Sequence, residues 1–363
     1  MGRLEECFAD LADPRSGNAR HDLLELLTIA LCAVLCGAES CVEMALFGAS
    51  KEPLLRQFLK LEHGVPSHDT FSRVFRLLEP GAFHAAFSRF MAVFVESCAG
   101  VVAIDGKTAR RSFDRASAAS PLHLLSAWSC EQRLVLAQRK VEADGNEITA
   151  IGALLALLDL DGRLVTADAM HCQRDTAQKI IDRDGGYVLA LKANQPELLE
   201  DVRLLLDDPA APPDDTAETV DGDHGRIETR QAAVLSDVDF LRRDHEWPGL
   251  AAVGKITATR EIDGKTSTAI RYYLLSKPLP AKRFLEVVRA HWGIENNLHW
   301  VLDVLLDEDQ ARNRKDNGPE NLALLRRLAL NLLRTNKDKG SLRGKIKRAG
   351  WNDAFLLRLL ANA

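Results

Sequence analysis

Between residues 101 and 191 the apolar residues fall in runs too short to make helices, and those runs constrain the fold more than any other feature of the chain. Residues 101–104, 122–128, 134–141, 163–166 and 187–191 have the length and composition of strands. The second and third flank a turn at Glu131-Gln132. Residues 147–158 follow with helical spacing behind Asn146, a candidate N-cap, and residues 175–182 form a helical stretch between the last two runs. The order is therefore strand, strand, strand, helix, strand, helix, strand. Such a series makes one α/β layer whose first three strands are antiparallel.

That order matches a ribonuclease H-like α/β core, and the chain has room for more. Its 363 residues, 46% hydrophobic and 27% charged, bury a sizeable core and suit two or three structural units. Residues 1–98 read as a helical N-terminal domain, with helices near 22–37, 40–49 and 51–61 and another starting after Ser67, a plausible N-cap. The pair 51–61 and 68–78, joined across Gly64 and Pro66, has the proportions of a helix-turn-helix and equally of a plain helical hairpin. Residues 99–196 give the first part of the core. Residues 197–283 interrupt it with an acidic, Pro-containing loop and strands near 251–259 and 268–275, an inserted mostly-β subdomain. Residues 284–335 return to the core through a long helix, 281–306, the basic loop 312–315 and a helix at 320–333. Residues 336–363 form a basic C-terminal tail.

The apolar stretch 23–38 is interrupted by Glu25, follows an acidic start and is short for a bilayer. Leu23, Leu27, Leu31 and Leu35 recur at helical spacing, so it reads as a buried helix in a cytoplasmic chain with no membrane partner. Of seven cysteines none forms a C-x-x-C pair, and Cys32, Cys36 and Cys41 follow the spacing of one helix; buried free thiols are expected rather than a zinc cluster. The net charge of −5 is unevenly spread. Residues 200–223 hold nine acids and one arginine, whereas residues 311–350 hold twelve Lys or Arg against three acids. A basic C-terminal segment of that kind suits a phosphate polymer, although a solvated helical face has the same composition.

Asp105 closes the run 101–104 and Asp168 follows the run 163–166, so one sheet would bring the two acids together. Taken singly, each is also an ordinary turn or strand-end residue. Glu295 lies among Trp292, Ile294 and Leu298 in the long helix, where an unpaired carboxylate is costly and a metal or a neighbouring arginine would compensate it. Divalent ions held by such acids polarise a phosphate and activate the group that attacks it, and hard Mg²⁺ takes oxygen ligands. Asp303 and Asp307 lie roughly 12 and 18 Å further along the helix axis, too far to share a metal with Glu295. Residues 307–309 read as helix-end charges in solvent, and Trp128, Trp292 and Trp300 as core.

Four segments make the reading specific: Val102-Ala-Ile-Asp-Gly-Lys107, Thr166-Ala-Asp-Ala-Met-His-Cys-Gln173, Leu191-Lys-Ala-Asn-Gln195, and His291-Trp-Gly-Ile-Glu-Asn-Asn-Leu-His-Trp300 with Leu302-Asp-Val304. They resemble the H-repeat-associated, DDE-type transposases of bacterial insertion sequences. Asp13-Pro-Arg15, Cys36-Gly-Ala38 and Gly64-Val-Pro-Ser-His-Asp-Thr-Phe71 resemble that family's associated helical domain, and His224-Gly-Arg-Ile-Glu228 fits as well. The resemblance spans nearly the whole chain. It implies Asp105, Asp168 and Glu295 as the catalytic and metal-binding triad, with Mg²⁺ as cofactor and Mn²⁺ as a substitute. It also implies DNA cleavage at insertion-sequence ends and strand transfer into target DNA.

The partners so implied are double-stranded DNA, as transposon ends and target, and a second copy of the chain in a homodimer on paired ends. DNA contacts are expected at Lys107, Lys192, Arg226, Arg289, Arg312 and Arg314, with His224 also facing DNA. Gln173, Asn194 and Gln195 would orient DNA or cap helices. Related transposases often place Tyr and Arg before the catalytic Glu and Lys after it; here those places hold Val288, His291 and Leu302. A catalytically inactive or domesticated DNA-binding relative, or a metal-dependent nuclease without strand transfer, are the alternatives.

Overall fold

The computed structural model describes the chain except residues 1, 16, 18, 96–99, 115–119, 143–144, 211, 224–225 and 362–363; His224 thus lies outside the described residues. The N-terminal part is helical: α1 (Gly2–Phe8), α2 (Leu23–Leu35), α3 (Cys41–Leu55), α4 (His68–Leu77) and α5 (Pro80–Val95). Asp22 caps α2 by accepting from the Glu25 amide, and Ser40 with Glu43 makes a reciprocal capping box on α3. The two helices expected at 40–49 and 51–61 are one. Pro53 sits in the last turn of α3, where it forfeits a hydrogen bond only shortly before the helix stops. Ser67 caps α4 as its sequence predicts. Cys32 is in α2 but Cys41 opens α3, so the three thiols do not share a helix.

The remainder is a mixed α/β layer. Its elements are β1 (Val101–Thr108), β2 (His123–Ser129), β3 (Leu134–Lys140), α6 (Glu147–Leu155), β4 (Leu164–Ala167), α7 (Arg174–Ile181), β5 (Gly186–Leu191), α8 (Pro196–Asp207), β6 (Asp215–Asp223), β7 (Arg226–Leu235), α9 (Asp239–Asp244), β8 (Ala252–Ile262) and β9 (Lys265–Leu275). After them come α10 (Ala281–Ile294), a wide turn at Glu295–His299, α11 (Trp300–Leu305), α12 (Gly318–Thr335), α13 (Leu342–Trp351) and α14 (Asp353–Ala361).

The strands join into one sheet of order β3-β2-β1-β4-β5-β9-β8-β7-β6. β1, β2 and β3 are antiparallel, β4 and β5 run parallel to β1, and β9 returns antiparallel along β5. Residues 197–283 therefore extend the same sheet. β9 covers the edge that β5 would leave open, which removes an exposed row of unpaired amides and carbonyls. Two of the four added strands were not expected: β6 lies in the acidic stretch and β7 directly after it; α10 covers only one of their faces, and the apolar signal is correspondingly weak.

Helix α12 is the keel. It is buried nearly all round, between α2, α4 and α5 on one side and β3 on the other. Asn331 on α12 accepts from the Val135 amide at 2.9 Å and donates to the Val135 carbonyl at 2.8 Å, satisfying the outer edge of β3 where its pairing with β2 shifts. The C-terminal tail is folded as α13 and α14, and the buried Lys345 caps the end of α12 through the carbonyls of Leu333 and Asn336. Arg326 and Arg327 are buried too, so the basic segment offers fewer free cations than its composition promised. Among the described residues no helix is long and apolar enough to cross a membrane.

Candidate active site

Parallel pairing of β1 with β4 runs from Val101 opposite Leu164 to Ile104 opposite Ala167. One residue further along each strand come Asp105 and Asp168. Neighbouring strands lie about 4.8 Å apart, so the register itself places the two carboxylates side by side. Asp168 has extended backbone and starts a short helical turn, Ala169–His171, without capping it, which leaves its side chain half exposed toward the site. That turn is braced from the loop after β5: the Asn194 amide donates to the Ala169 carbonyl at 2.7 Å and Gln195 to that of Cys172 at 3.1 Å. Both side chains, with Gln173 bonded to Gln195, thus hold a loop.

The third acid arrives on the helix that crosses above. The carbonyl of Glu295 accepts from the amide of Trp300, five residues on, so the helix widens there, a local feature common at functional sites. His291, before the wide turn, bonds Thr166 Oγ1 through Nδ1 at 3.1 Å and brings Nε2 to 3.7 Å from Asp168. His299, at its end, stands 3.5 Å from Asp105. Glu295 lies between the two histidines in sequence and is exposed. The expectation that it packs beside an apolar stripe holds only for its neighbours Ile294 and Leu298. Trp292 and Trp300, read as core, are 41% and 57% exposed, whereas Trp128 is buried.

Asp105 feels both of the other acids. Burial pushes the Asp105 carboxyl up to about 6; Asp168 and Glu295 add to the rise, while His291 and the Gly106 amide oppose it. Asp168 is held below the usual carboxylate range, first by His291 and further by Lys192 and His171. Burial, with Arg327 and Lys107 nearby, takes His299 down to about 4 and leaves it neutral at pH 7. Oxygen donors of this kind suit a hard divalent cation. Among the described residues, however, no three His, Cys, Asp or Glu side chains already form a cluster that could hold an ion.

Comparison with known proteins decides what this arrangement belongs to. Residues 96–332 match the family model for the transposase DDE domain, and residues 5–91 match the model described as DDE_Tnp_1-associated. The chain belongs to the H repeat-associated DDE transposase family. It is 36% identical to "H repeat-associated putative transposase YhhI" of Escherichia coli K12, over 100% of this chain and 99% of that one. It is 38% identical to "Putative transposase YncI" of E. coli O157:H7, over 96% and 91%. A third relative, "Uncharacterized protein in dhlA 3'region" of Xanthobacter autotrophicus, is 47% identical over 74% of this chain and 92% of its own length.

The cations expected to meet DNA in this transposase-family chain fall into two groups. Lys192 and Arg312 are exposed, and Lys192 lines a small cavity with Asp168, Arg271 and Trp292. The others are engaged within the protein. Arg289 pairs with Asp221 at 2.7 Å and Arg226 with Glu228, and Arg314 donates to the Arg111 carbonyl and lies over the Phe113 ring. Lys107 is committed most deeply: 7% exposed, it reaches Asp303 at 2.7 Å, Asp309 at 3.0 Å and Glu308 at 3.6 Å. The expectation of solvent charges at 307–309 is overturned here. Glu308 is 2% exposed and paired with the fully buried Arg327 at 2.6 Å, because the chain turns back after α11 through Asp307 at φ 49°.

Sequence reasoning also passed over Glu147. Its carboxylate receives His123 at 2.6 Å and His171 at 2.9 Å. It lies so close to Gly106 that a Cβ there would come within 2.6 Å of it. Glu147 therefore ties the loop after Asp168 to the start of β2, and a side chain at position 106 would displace its carboxylate.

Proposed function

We propose that the chain is a transposase that cleaves DNA at insertion-sequence ends and joins the freed strands to target DNA, on a ribonuclease H-like core, with Asp105, Asp168 and Glu295 as its catalytic carboxylates. The observation that carries this reading is the register match of Asp105 with Asp168, with Glu295 contributing to the same field. The strand order β3-β2-β1-β4-β5 with its antiparallel-then-parallel pairing supports the core assignment, with residues 1–98 as an associated helical domain and 197–283 as an insertion.

DDE transposase domains generally use divalent metals. Mg²⁺, or Mn²⁺ in its place, held by Asp105, Asp168 and Glu295, would polarise the scissile phosphate and lower the pKa of the attacking water or 3′-hydroxyl. The chain's own groups do the rest. His291, anchored on Thr166, orients Asp168; neutral His299 stands beside Asp105 without adding a charge that would compete for it. Lys192, exposed and lining the same cavity as Asp168, would neutralise a phosphate oxygen in this reading. A second copy of the chain on the paired DNA end completes the assembly in this reading. The test is cleavage of duplexes carrying the inverted repeats that flank the gene, in Mg²⁺, by wild type and by Asp168→Asn. Products with free 3′-hydroxyls from wild type alone support the reading, and a variant that cuts as well as wild type contradicts it.

A further inference from the structure

The strands β6–β9 have two faces of different chemistry. Cross-strand partners point to the same side of a sheet. One face carries the rows Ala232–Ile256–Arg271, Arg230–Ala258–Ala269, Glu228–Arg260–Ser267 and Arg226–Ile262–Lys265. Ala232 and Ile256 pack under α10 with Phe284, so this is the face on which the proposed site lies. The opposite face is dominated by threonines such as Thr257, Thr259, Thr266 and Thr268, with exposed Ile227 and Ile270.

On the α10 side the cations outnumber the carboxylates among the described side chains. Glu228, 7% exposed, holds Arg226, Arg230 at 2.7 Å and Arg260 at 3.8 Å. Asp221, its partner on β6, holds Arg230 at 2.6 Å and Arg289 of α10 at 2.7 Å. Among the described side chains, two carboxylates thus hold four guanidinium groups and balance half of their charge. Lys265 and Arg271 extend the strip at either end, both exposed. Arg271 lies over the Trp292 ring at 5.7 Å and shares the cavity wall with Asp168 and Lys192, so the strip is continuous with the proposed catalytic acids.

We propose that this face of the β6–β9 extension is a phosphate-binding surface for the double-stranded DNA that leads to Asp168. The inference rests on the transposase reading and adds where the duplex lies. Lys265 and Arg271 are six residues apart on one strand, roughly 20 Å, a span over which duplex DNA presents about 12 phosphates. Carboxylates that pre-position arginines reduce the rotamer freedom lost on binding, which explains why acids sit inside a surface meant for an anion. The excess charge lies on the active-site face of a chain whose net charge is −5.

The test is the salt dependence of binding of full-length protein to a labelled duplex of about 30 base pairs, comparing wild type with Arg260→Ala/Lys265→Ala/Arg271→Ala and with the charge-keeping Arg260→Lys/Lys265→Arg/Arg271→Lys. The three residues are exposed, and melting curves verify that both variants fold. The alanine variant should bind about tenfold or more weakly at moderate salt, with the slope of log affinity against log salt reduced by about 2–3, and the charge-keeping variant should stay near wild type. Unchanged affinity and slope in the alanine variant would overturn this surface while leaving the transposase reading standing. Equal losses in both variants would overturn a role through charge, and preference for single-stranded RNA over duplex in competition would overturn the choice of ligand. A wild-type protein that binds no duplex at all would overturn the underlying reading, and this surface with it.

Discussion

Asp105 and Asp168 each follow the last paired residue of two neighbouring parallel strands: the pairing ends at Ile104 and Ala167, and the next residue of each segment is a carboxylate. Burial first, and then the neighbouring carboxylates of Asp168 and Glu295, make an ionised Asp105 costly unless a cation is present. Asp105, with its pKa pushed up to about 6, is ionised at pH 7.5 against that cost. Metal-free Asp105→Asn is therefore expected to be more stable than wild type at pH 7.5, by on the order of 1–2 kcal/mol. Added Mg²⁺ or Mn²⁺ should raise the melting temperature of wild type more than that of the variant. Differential scanning fluorimetry with and without the ion reads both effects; a destabilised metal-free variant would contradict the account.

Lys107 joins the strand of Asp105 to the turn beyond α11, through Asp303, Glu308 and Asp309. Burial works against its charge, but those acids outweigh burial and hold its pKa above the usual lysine value. Lys107→Met keeps the length of the stem but takes a cation from Asp303, Glu308 and Asp309; Glu308 keeps Arg327 and Asp309 keeps Arg110, so the loss is that of a charged hydrogen bond, about 2–3 kcal/mol. Denaturant unfolding should show a loss of that size. A loss below about 1 kcal/mol would mean the lysine is dispensable inside and would return it to the list of surface cations.

Glu147 gives a pH signature. The hydrogen bond from His123, and then that from His171, lower its carboxyl to about 2. A carboxylate so depressed stabilises the fold above its ordinary pKa near 4.5, and that contribution is lost as pH falls from about 4.5 toward 2. Glu147→Gln should cost roughly 1–3 kcal/mol at pH 7 and flatten the acid limb of the stability curve across that window. Urea unfolding at a series of pH values decides it, and parallel curves for the two proteins would remove Glu147 from its bracing role.

The strands β1 to β5 were legible because buried strands read as short apolar runs, and the caps at Ser67 and Asn146 because capping is local chemistry. The two aspartates were legible for the same reason: they follow those runs directly. β6 and β7 were hidden, since strands covered on one side carry charges such as Glu218 and Asp221 that read as loop. The buried fate of Glu308 depends on Arg327 and Lys107, the latter 201 residues away in sequence, which no local pattern reveals. Nor does periodicity disclose the wide turn at Glu295, or that Trp292 and Trp300 on either side of it stand outside the core.

The central claim is that Asp105, Asp168 and Glu295, and not the acids further along the same helix and turn, carry out metal-dependent cleavage. The direct measurement is Mg²⁺-dependent cutting of a duplex bearing the flanking inverted repeat by wild type, Asp105→Asn, Asp168→Asn, Glu295→Gln and, as the outside control, Asp307→Asn, with duplex affinity measured alongside. The first three variants should lose cleavage and strand transfer while binding the duplex within a few-fold of wild type, and Asp307→Asn should cut nearly as wild type does. Near-wild-type cutting by any of the first three, or loss of cutting confined to Asp307→Asn, would contradict the assignment.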